Sequence, residues 1–369
     1  MSPARTALRA DAASCDQERV LVFPAGLPDA QRYRQEALAA GRRLIGASSL
    51  AFDPAASGYE QWARLPYAHE PHFASALGEL IRRHDITAIY APHQVVSGVL
   101  AQLLPDIAPE VELLAPDPAL GIEAAYRHSL VRAQSVAFTC GSGGGPALPP
   151  FARAGLARLV DTIPGMTDLD KIDAVIEVMR HVPPGDVVEI GSWWGRSAAL
   201  LLLLARRYRV GPVLCVDPWR NDCLGQGVAA LDHASAQVDA DQALTIFQMN
   251  LSPLACGDLN YLRAPSSEAA PLYRPGLAVT SDAFGQTRYS GEIALLHVDG
   301  NHAYEQAETD VRLWAPHVRP GGWIIIDDYV WAFGDGPRRV GDAFLHDNAD
   351  RIALSFVMGT ALFVELAGA

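Results

Sequence analysis

The stretch DVVEIGSWWGRSAALLLLLARRY, residues 186–208, reads as strand, glycine turn and helix. Val187, Val188 and Ile190 supply the β-branched run of a buried strand. Gly191 and Gly195 frame the turn, and the leucine-rich segment behind them has helical length. Working outward, further strands are expected in VLCVDPW (213–219), LNYLRAPSSEAA (259–270), IALLHVD (293–299) and GGWIIIDD (321–328). Strands alternating with helices predict an α/β fold with a mostly parallel, doubly wound sheet. RIALSFVMGTALFVELAG (351–368) predicts an antiparallel hairpin at one edge, turning through Met358, Gly359 and Thr360.

The N-terminal half repeats the alternation on a smaller scale. RVLVFPAG (19–26), RRLIGASS (42–49) and ITAIYAPH (86–93) read as strands, and AQRYRQEALAAG (30–41), FASALGELIRRHD (73–85) and SGVLAQLLPDI (97–107) as helices. The expected organisation is a flexible tail over 1–18, an auxiliary Rossmann-like domain over 19–138, a linker over 139–150 and a larger domain over 151–369. The linker is TCGSGGGPALPP, where glycine and proline prevent regular structure. A phosphate-binding loop is the rival reading. It is weakened because no Lys-Ser/Thr pair follows and no helix is evident directly after it. The second half is expected to open on the helix DLDKIDAVIEVMRHV (168–182), capped by Asp168.

Half of the 369 residues are apolar and 19% are charged, enough to build sizeable cores. A formal charge of −13 argues against nucleic acid or an anionic membrane as the main partner. Five cysteines without a C-x-x-C pair fit a reducing, cytoplasmic setting. The first twenty residues contain no apolar secretory core, and SAALLLLLA is too short to span a bilayer.

Several residues carry candidate chemistry. Gly191 and Gly195 place free N–H groups at a helix start, where backbone can approach a ligand closely. Their G-x-x-x-G spacing disfavours a dinucleotide pyrophosphate. Asp217 ends the next strand, where a carboxylate can accept from ribose hydroxyls. Asp299 ends the fourth strand of the larger domain, and Asp327 and Asp328 end the fifth. Neighbouring strands lie about 4.8 Å apart, so one cation is within reach of all three. Carboxylates without thiols favour Mg²⁺ or Mn²⁺ over zinc. His302 is expected to act as a base toward a hydroxyl beside that ion, ahead of the alternative role of extra ligand.

EIGSWWGRS (189–197), with Asp217 in CVDPW, resembles the class I S-adenosylmethionine-dependent methyltransferases. The resemblance implies that Glu189, Gly191, Ser192, Gly195 and Ser197 serve the methionine end of that cofactor. It places Asp217 at the ribose, and Ser266 and Ser267 near adenine. Asp299-x-x-His302 followed by VRPGGWIIIDDY (318–329) is similar to metal-dependent sugar O-methyltransferases of the macrocin and mycinamicin type. It is also similar to the cephalosporin hydroxylase-like group and, more remotely, to catechol O-methyltransferase. This implies Mg²⁺ held by Asp299, Asp327 and Asp328, with His302 as base. The resemblance covers roughly residues 160–369.

The N-terminal half resembles the leading domain of ATP-grasp ligases through LVFPAG (21–26), LIGASS (44–49) and ITAIYAPH. No ATP-grasp catalytic domain follows, so ATP chemistry is not implied. Shaping an acceptor pocket or mediating homo-oligomerisation is the expected role, with His69, His72 and His93 as loop or capping residues. The expected activity is S-adenosylmethionine- and Mg²⁺-dependent O-methylation of a small hydroxylated metabolite, a sugar or glycosylated natural product of secondary metabolism. A metal-dependent hydrolase built on the same Asp/His cluster is one rival, but it leaves Glu189, the glycine turn and Asp217 without purpose. A non-catalytic cofactor-binding scaffold is another, opposed by the complete acid set and His302. Residues 219–240 and 331–344 are the expected lids, with Arg338 and Arg339 available to an anionic acceptor.

Overall fold

The computed structural model of the chain describes residues 18–114, 118–226, 228, 232, 233 and 235–368. All of the expected tail except Glu18 lies outside them. The chain divides into two compact units, Met1–His128 and Ser129–Ala369.

In the first unit β1 (Arg19–Val22), β2 (Arg43–Ser48), β3 (Gln61–Arg64), β4 (Ala88–Tyr90) and β5 (Glu112–Leu113) form a parallel sheet in the order β3-β2-β1-β4-β5. Alternate residues face opposite sides. Leu21, Ile45 and Ile89 pack with α2 (Phe73–His84) and α3 (Gln94–Ile107), while Val20, Val22 and Leu44 pack with α1 (Pro28–Ala39). β3 and β5 escape sequence reading because they are short and only partly buried. His72 and His93 occupy helix N-cap positions without side-chain cap bonds, and His69 is exposed.

The helix α4 (Pro118–Ser135) contains the division between units, ten residues before the expected end of the first domain at residue 138. Its last turns belong to the second unit because Arg132 pairs there with Asp173 at 2.6 Å and Asp170 at 3.2 Å. The glycine- and proline-rich stretch is irregular, yet it is fastened to the second unit. Gly145 N donates to the Arg180 carbonyl at 2.7 Å, Arg180 Nε returns a bond to the Gly145 carbonyl at 2.8 Å, and the Tyr208 hydroxyl donates to Pro146 O at 3.2 Å. Contrary to expectation, a helix does begin directly after it: α5 spans Pro150–Asp161, with proline in the first turn where no N–H is missed.

The second unit continues through α6 (Leu169–Val178), β6 (Asp186–Ile190), α7 (Arg196–Tyr208), β7 (Val213–Asp217), α8 (Ala240–Leu251), β8 (Leu259–Arg263) and the short α9 (Ser266–Ala269). β9 (Ala278–Ser281) and β10 (Gly285–Arg288) form a separate hairpin that sequence reading missed. Then come β11 (Ile293–Val298), α10 (Tyr304–Trp314), β12 (Val318–Ile326), α11 (Gly336–Asp347), β13 (Ile352–Met358) and β14 (Ala361–Leu366). α6 starts at the expected Asp168 cap, whose carboxylate accepts from Lys171 N at 2.8 Å.

The strand order is β13-β14-β12-β11-β6-β7-β8, with β14 alone running against the other six. This is the expected doubly wound sheet with an antiparallel hairpin at one edge. Helices cover both faces, so β6, β7 and β11 are buried throughout and read as continuous apolar runs. From β6 the chain proceeds to β7 and β8 on one side and to β11 and β12 on the other. That reversal opens a crevice beyond the carboxyl ends of β6 and β11. Ile190, Val298 and Ile326 are in register there, so Gly191, Asp299 and Asp327 leave the sheet side by side.

The expected lid over 331–344 is helical from Gly336 onward. Its arginines are stacked, not free: Arg339 lies 4.2 Å over the Tyr304 ring and Arg338 5.9 Å over Tyr329. Of the other expected lid, 219–240, residues 227, 229–231 and 234 lie outside the described residues. Among the described residues no helix is long and apolar enough to cross a membrane.

Candidate active site at the carboxyl ends of the central strands

The glycine turn is shaped by its neighbours within the protein. Gly191 has φ +82°, and a Cβ there would overlap the Asp299 carbonyl, which leaves β11 alongside it. Its glycine is therefore required by contact between two strand exits as much as by any ligand. Gly191→Ala is expected to lower stability by about 2–4 kcal/mol through left-handed strain and overlap. A urea unfolding midpoint unchanged from wild type would contradict this.

Asp217 is largely engaged by backbone amides of its surroundings. Its Oδ2 accepts from Ser192 N and Trp193 N, each at 3.0 Å, and its Oδ1 from Trp219 N at 2.8 Å. A carboxylate has about four acceptor directions, so three backbone amides leave one for a ribose. Burial pushes the Asp217 pKa up, and those three amides oppose the shift. The same bonds remove the Ser192 and Trp193 N–H groups from the free donors expected at this helix start.

Glu189 is fully buried beneath the turn. Its Oε2 accepts from Ser192 Oγ at 2.6 Å, and its Oε1 lies 3.0 Å from His297 Nδ1. Expected at the methionine end of a cofactor, it braces the serine above it. Gly195, with φ +90°, packs where a Cβ would overlap Leu251. Ser197 lines a small internal cavity with Thr167, Lys171 and His297. Ser266 donates to Asp310, whose pKa burial pushes up to about 6 against that bond, whereas Ser267 is exposed.

The acids gather as the strand register requires. Lys171, from α6, places Nζ on Asp327 Oδ2 and 3.9 Å from Asp299 Oδ2. His297 Nε2 lies 3.4 Å from Asp327 Oδ2 and 4.0 Å from Asp299 Oδ2. Asp327 Oδ1 accepts from Thr360 Oγ1 at 3.1 Å and Asp328 N at 2.9 Å. Burial alone would raise the Asp327 pKa, but Lys171 and His297 hold it well below the carboxylate range. Burial likewise opposes charge on His297, yet Asp327 and Glu189 push its pKa up to about 9. Asp299 is raised by burial and by the Asp327 charge.

Asp328 has the left-handed φ of +51°. Its Oδ2 lies 2.8 Å from His302 Nε2. Donor atoms of Asp299, His302 and Asp328 all fall within 4.8 Å of one another. Both His302 ring nitrogens are buried without a hydrogen bond. Such a set of hard oxygen donors, with an imidazole that meets Asp328 through Nε2 and has no hydrogen bond at Nδ1, fits a divalent cation with a base beside it. The His302 ring centroid stands 4.4 Å from that of Trp331, which meets Phe333 edge-on at 5.6 Å. His302 N donates to Gln226 Oε1 at 2.9 Å, and Asn301 Nδ2 to Gly225 O at 2.6 Å.

His297, Asp299 and Asp327 have metal-ligand spacing too, and so, away from this site, do Cys140, Glu177 and His181. There Glu177 already pairs with Arg180 at 2.6 Å, so its charge is met within the protein.

Sequence reading missed Lys171, His297, Gln226 and Trp331. Lys171 did leave a signal, since it shares a helical stripe with buried Val175 and Val178 at i, i+4 and i+7. A lysine on an apolar stripe calls for a buried anion.

Residues 188–329 match the family described as a methyltransferase domain. A Streptomyces olivaceus protein, 8-demethyl-8-(2,3-dimethoxy-alpha-L-rhamnosyl)-tetracenomycin-C 4'-O-methyltransferase, is 27% identical over 174 residues, covering 46% of this chain and 62% of that protein. The chain thus matches less than two thirds of that relative's length. The O-methyltransferase NovP aligns with a TM-score of 0.43 at 17% identity, over 68% of this chain and 99% of its own. MycE in complex with Mg, SAH and mycinamycin VI aligns with a TM-score of 0.36 at 17% identity, over 61% of this chain and 55% of its own.

Proposed function

We propose that the chain moves a methyl group from S-adenosylmethionine to a hydroxyl of a small, sugar-bearing metabolite, a reading supported by the match of residues 188–329 to the family described as a methyltransferase domain. One observation carries the reading: His302 and Asp328, 2.8 Å apart, share a strand edge with Asp299 beside the glycine turn. The rhamnosyl acceptor in the curated relative's name supports the sugar.

When bound, S-adenosylmethionine supplies a sulfonium methyl for in-line transfer, and a divalent cation, Mg²⁺ or Mn²⁺, supplies charge that acidifies a neighbouring hydroxyl. Asp299, Asp327 and Asp328 are the residues proposed to hold the cation. His302 removes the acceptor's proton, and the Asp328 carboxylate 2.8 Å from its Nε2 favours the imidazolium that results. Ser192, Ser197 and the Gly191–Gly195 turn are assigned to the methionine end, with Glu189 fixing Ser192 from below. Asp217 offers its remaining acceptor direction to the ribose, and Ser266 and Ser267 stand on the adenine side. The first unit is assigned an auxiliary role, since the clusters with metal-ligand spacing among the described residues all lie in the second unit.

Trp331 and exposed Phe333 offer flat apolar surface beside His302 for the acceptor's ring. Trp331→Ala is expected to raise the acceptor KM about ten-fold while S-adenosylhomocysteine affinity stays as in wild type. An unchanged KM would place the acceptor elsewhere. The whole reading is tested by calorimetric titration with S-adenosylhomocysteine and then Mg²⁺. Saturable binding of both is expected, and no S-adenosylhomocysteine binding would sink the methyltransferase assignment.

A further inference from the structure

Lys171 sits where a metal-binding cluster would be expected to hold only anions. Its side chain is 4% exposed, as is that of its partner Asp327. A buried ammonium is costly unless an anion meets it, and here the anion is one of the carboxylates proposed for the cation. The arrangement is framed on every side. The Asp168 carboxylate caps the Lys171 backbone at 2.8 Å and accepts from Thr360 N at 3.3 Å. Thr360 Oγ1 in turn donates to Asp327 Oδ1 at 3.1 Å, and His297 Nε2 stands 3.4 Å from Asp327 Oδ2. Asp327 is thereby engaged through both oxygens by groups of the protein. Asp299 lies at the edge of Lys171's reach, and Asp328 faces His302.

We propose that Lys171 is a resident counter-cation that divides the cluster: it keeps Asp327 as a bracing carboxylate and leaves Asp299 and Asp328 to meet the divalent ion. The inference rests on the metal-assisted reading above and changes one member of its ligand set. Lys171 is a positioning residue in this scheme, acting through Asp327. Its charge would also oppose a divalent cation held by the neighbouring carboxylates, which weakens ion binding by a factor of about ten or more. Two carboxylates with water completing the shell suit Mg²⁺, which keeps several waters when bound to protein.

The test measures Mn²⁺ affinity by the electron paramagnetic resonance signal of the free ion, on the full chain. Wild type, Lys171→Met and the charge-neutral double variant Lys171→Met/Asp327→Asn are compared, with circular dichroism confirming each fold. The double variant avoids stranding either buried charge. Lys171→Met is expected to bind at least ten-fold tighter than wild type, and the double variant within about three-fold of it. A Lys171→Met affinity equal to or weaker than wild type overturns the proposal. So does a hundred-fold loss in the double variant, which would make Asp327 a direct ligand while leaving the metal reading intact. Absence of Mn²⁺ binding in all three overturns the metal reading together with the division of labour.

Discussion

Replacing His302 with alanine is expected to lower turnover by about 10²–10⁴-fold, the usual worth of a positioned general base. The loss should fall on kcat, with the affinities for S-adenosylhomocysteine and Mn²⁺ held within about three-fold. Two observations set this pattern. His302 holds Nε2 2.8 Å from Asp328, a carboxylate that favours the imidazolium formed when the ring takes a proton. Neither ring nitrogen forms a hydrogen bond of good geometry, and Asp328, the carboxylate that loses its ion-pair contact, is 20% exposed to solvent. Some stability is expected to be lost with the Trp331 ring contact, so kcat is to be compared on enzyme of verified fold. Turnover at the wild-type level would remove His302 from the chemistry. A loss of Mn²⁺ binding instead would make it a ligand.

The second large effect concerns Asp328. Its φ of +51° makes asparagine the informative replacement, because Asn tolerates the left-handed region better than alanine does. Asp328→Asn therefore removes a charge with little change of backbone. Mn²⁺ affinity is expected to fall by a factor of about a hundred, as follows from losing one hard anionic oxygen from a site with few of them. The rise in melting temperature produced by Mg²⁺ in wild type should vanish as well, since an ion stabilises only a fold that binds it. Thermal unfolding with and without Mg²⁺ checks this directly. A Mg²⁺-dependent shift as large as that of wild type would exclude Asp328 from the ion's surroundings.

The central architecture was legible because β6, β11 and β12 are buried on both faces, which writes them as apolar runs ending abruptly in polar residues. Their register then set Asp299 beside Asp327 without further assumption. The uses of individual carboxylates were not legible in the same way. Asp217 looked like a ribose acid because it ends a strand, but its backbone-amide partners come from a turn some 25 residues earlier in the chain. Lys171 and Asp327 lie 156 residues apart, and only the packing of α6 against the sheet brings them together. The helix α11 was hidden by its Gly-Pro start, which reads as a turn in isolation and as a first helical turn in place. The glycine- and proline-rich stretch reads as an irregular linker, and its fastening escapes sequence reading because the groups that hold it, Arg180 and Tyr208, are distant in sequence.

Thr360, in the turn before the last strand, donates to Asp327, and β14 then inserts between β12 and β13. On the ribosome, Asp299, Asp327 and Asp328 therefore emerge while β12 still has a bare edge. Until β14 arrives, the acids are present but the frame that orients Asp327 is open. The frame around the acids is thus supplied by a segment that is made after them, so the acids and their fixed orientation arrive in separate steps of synthesis.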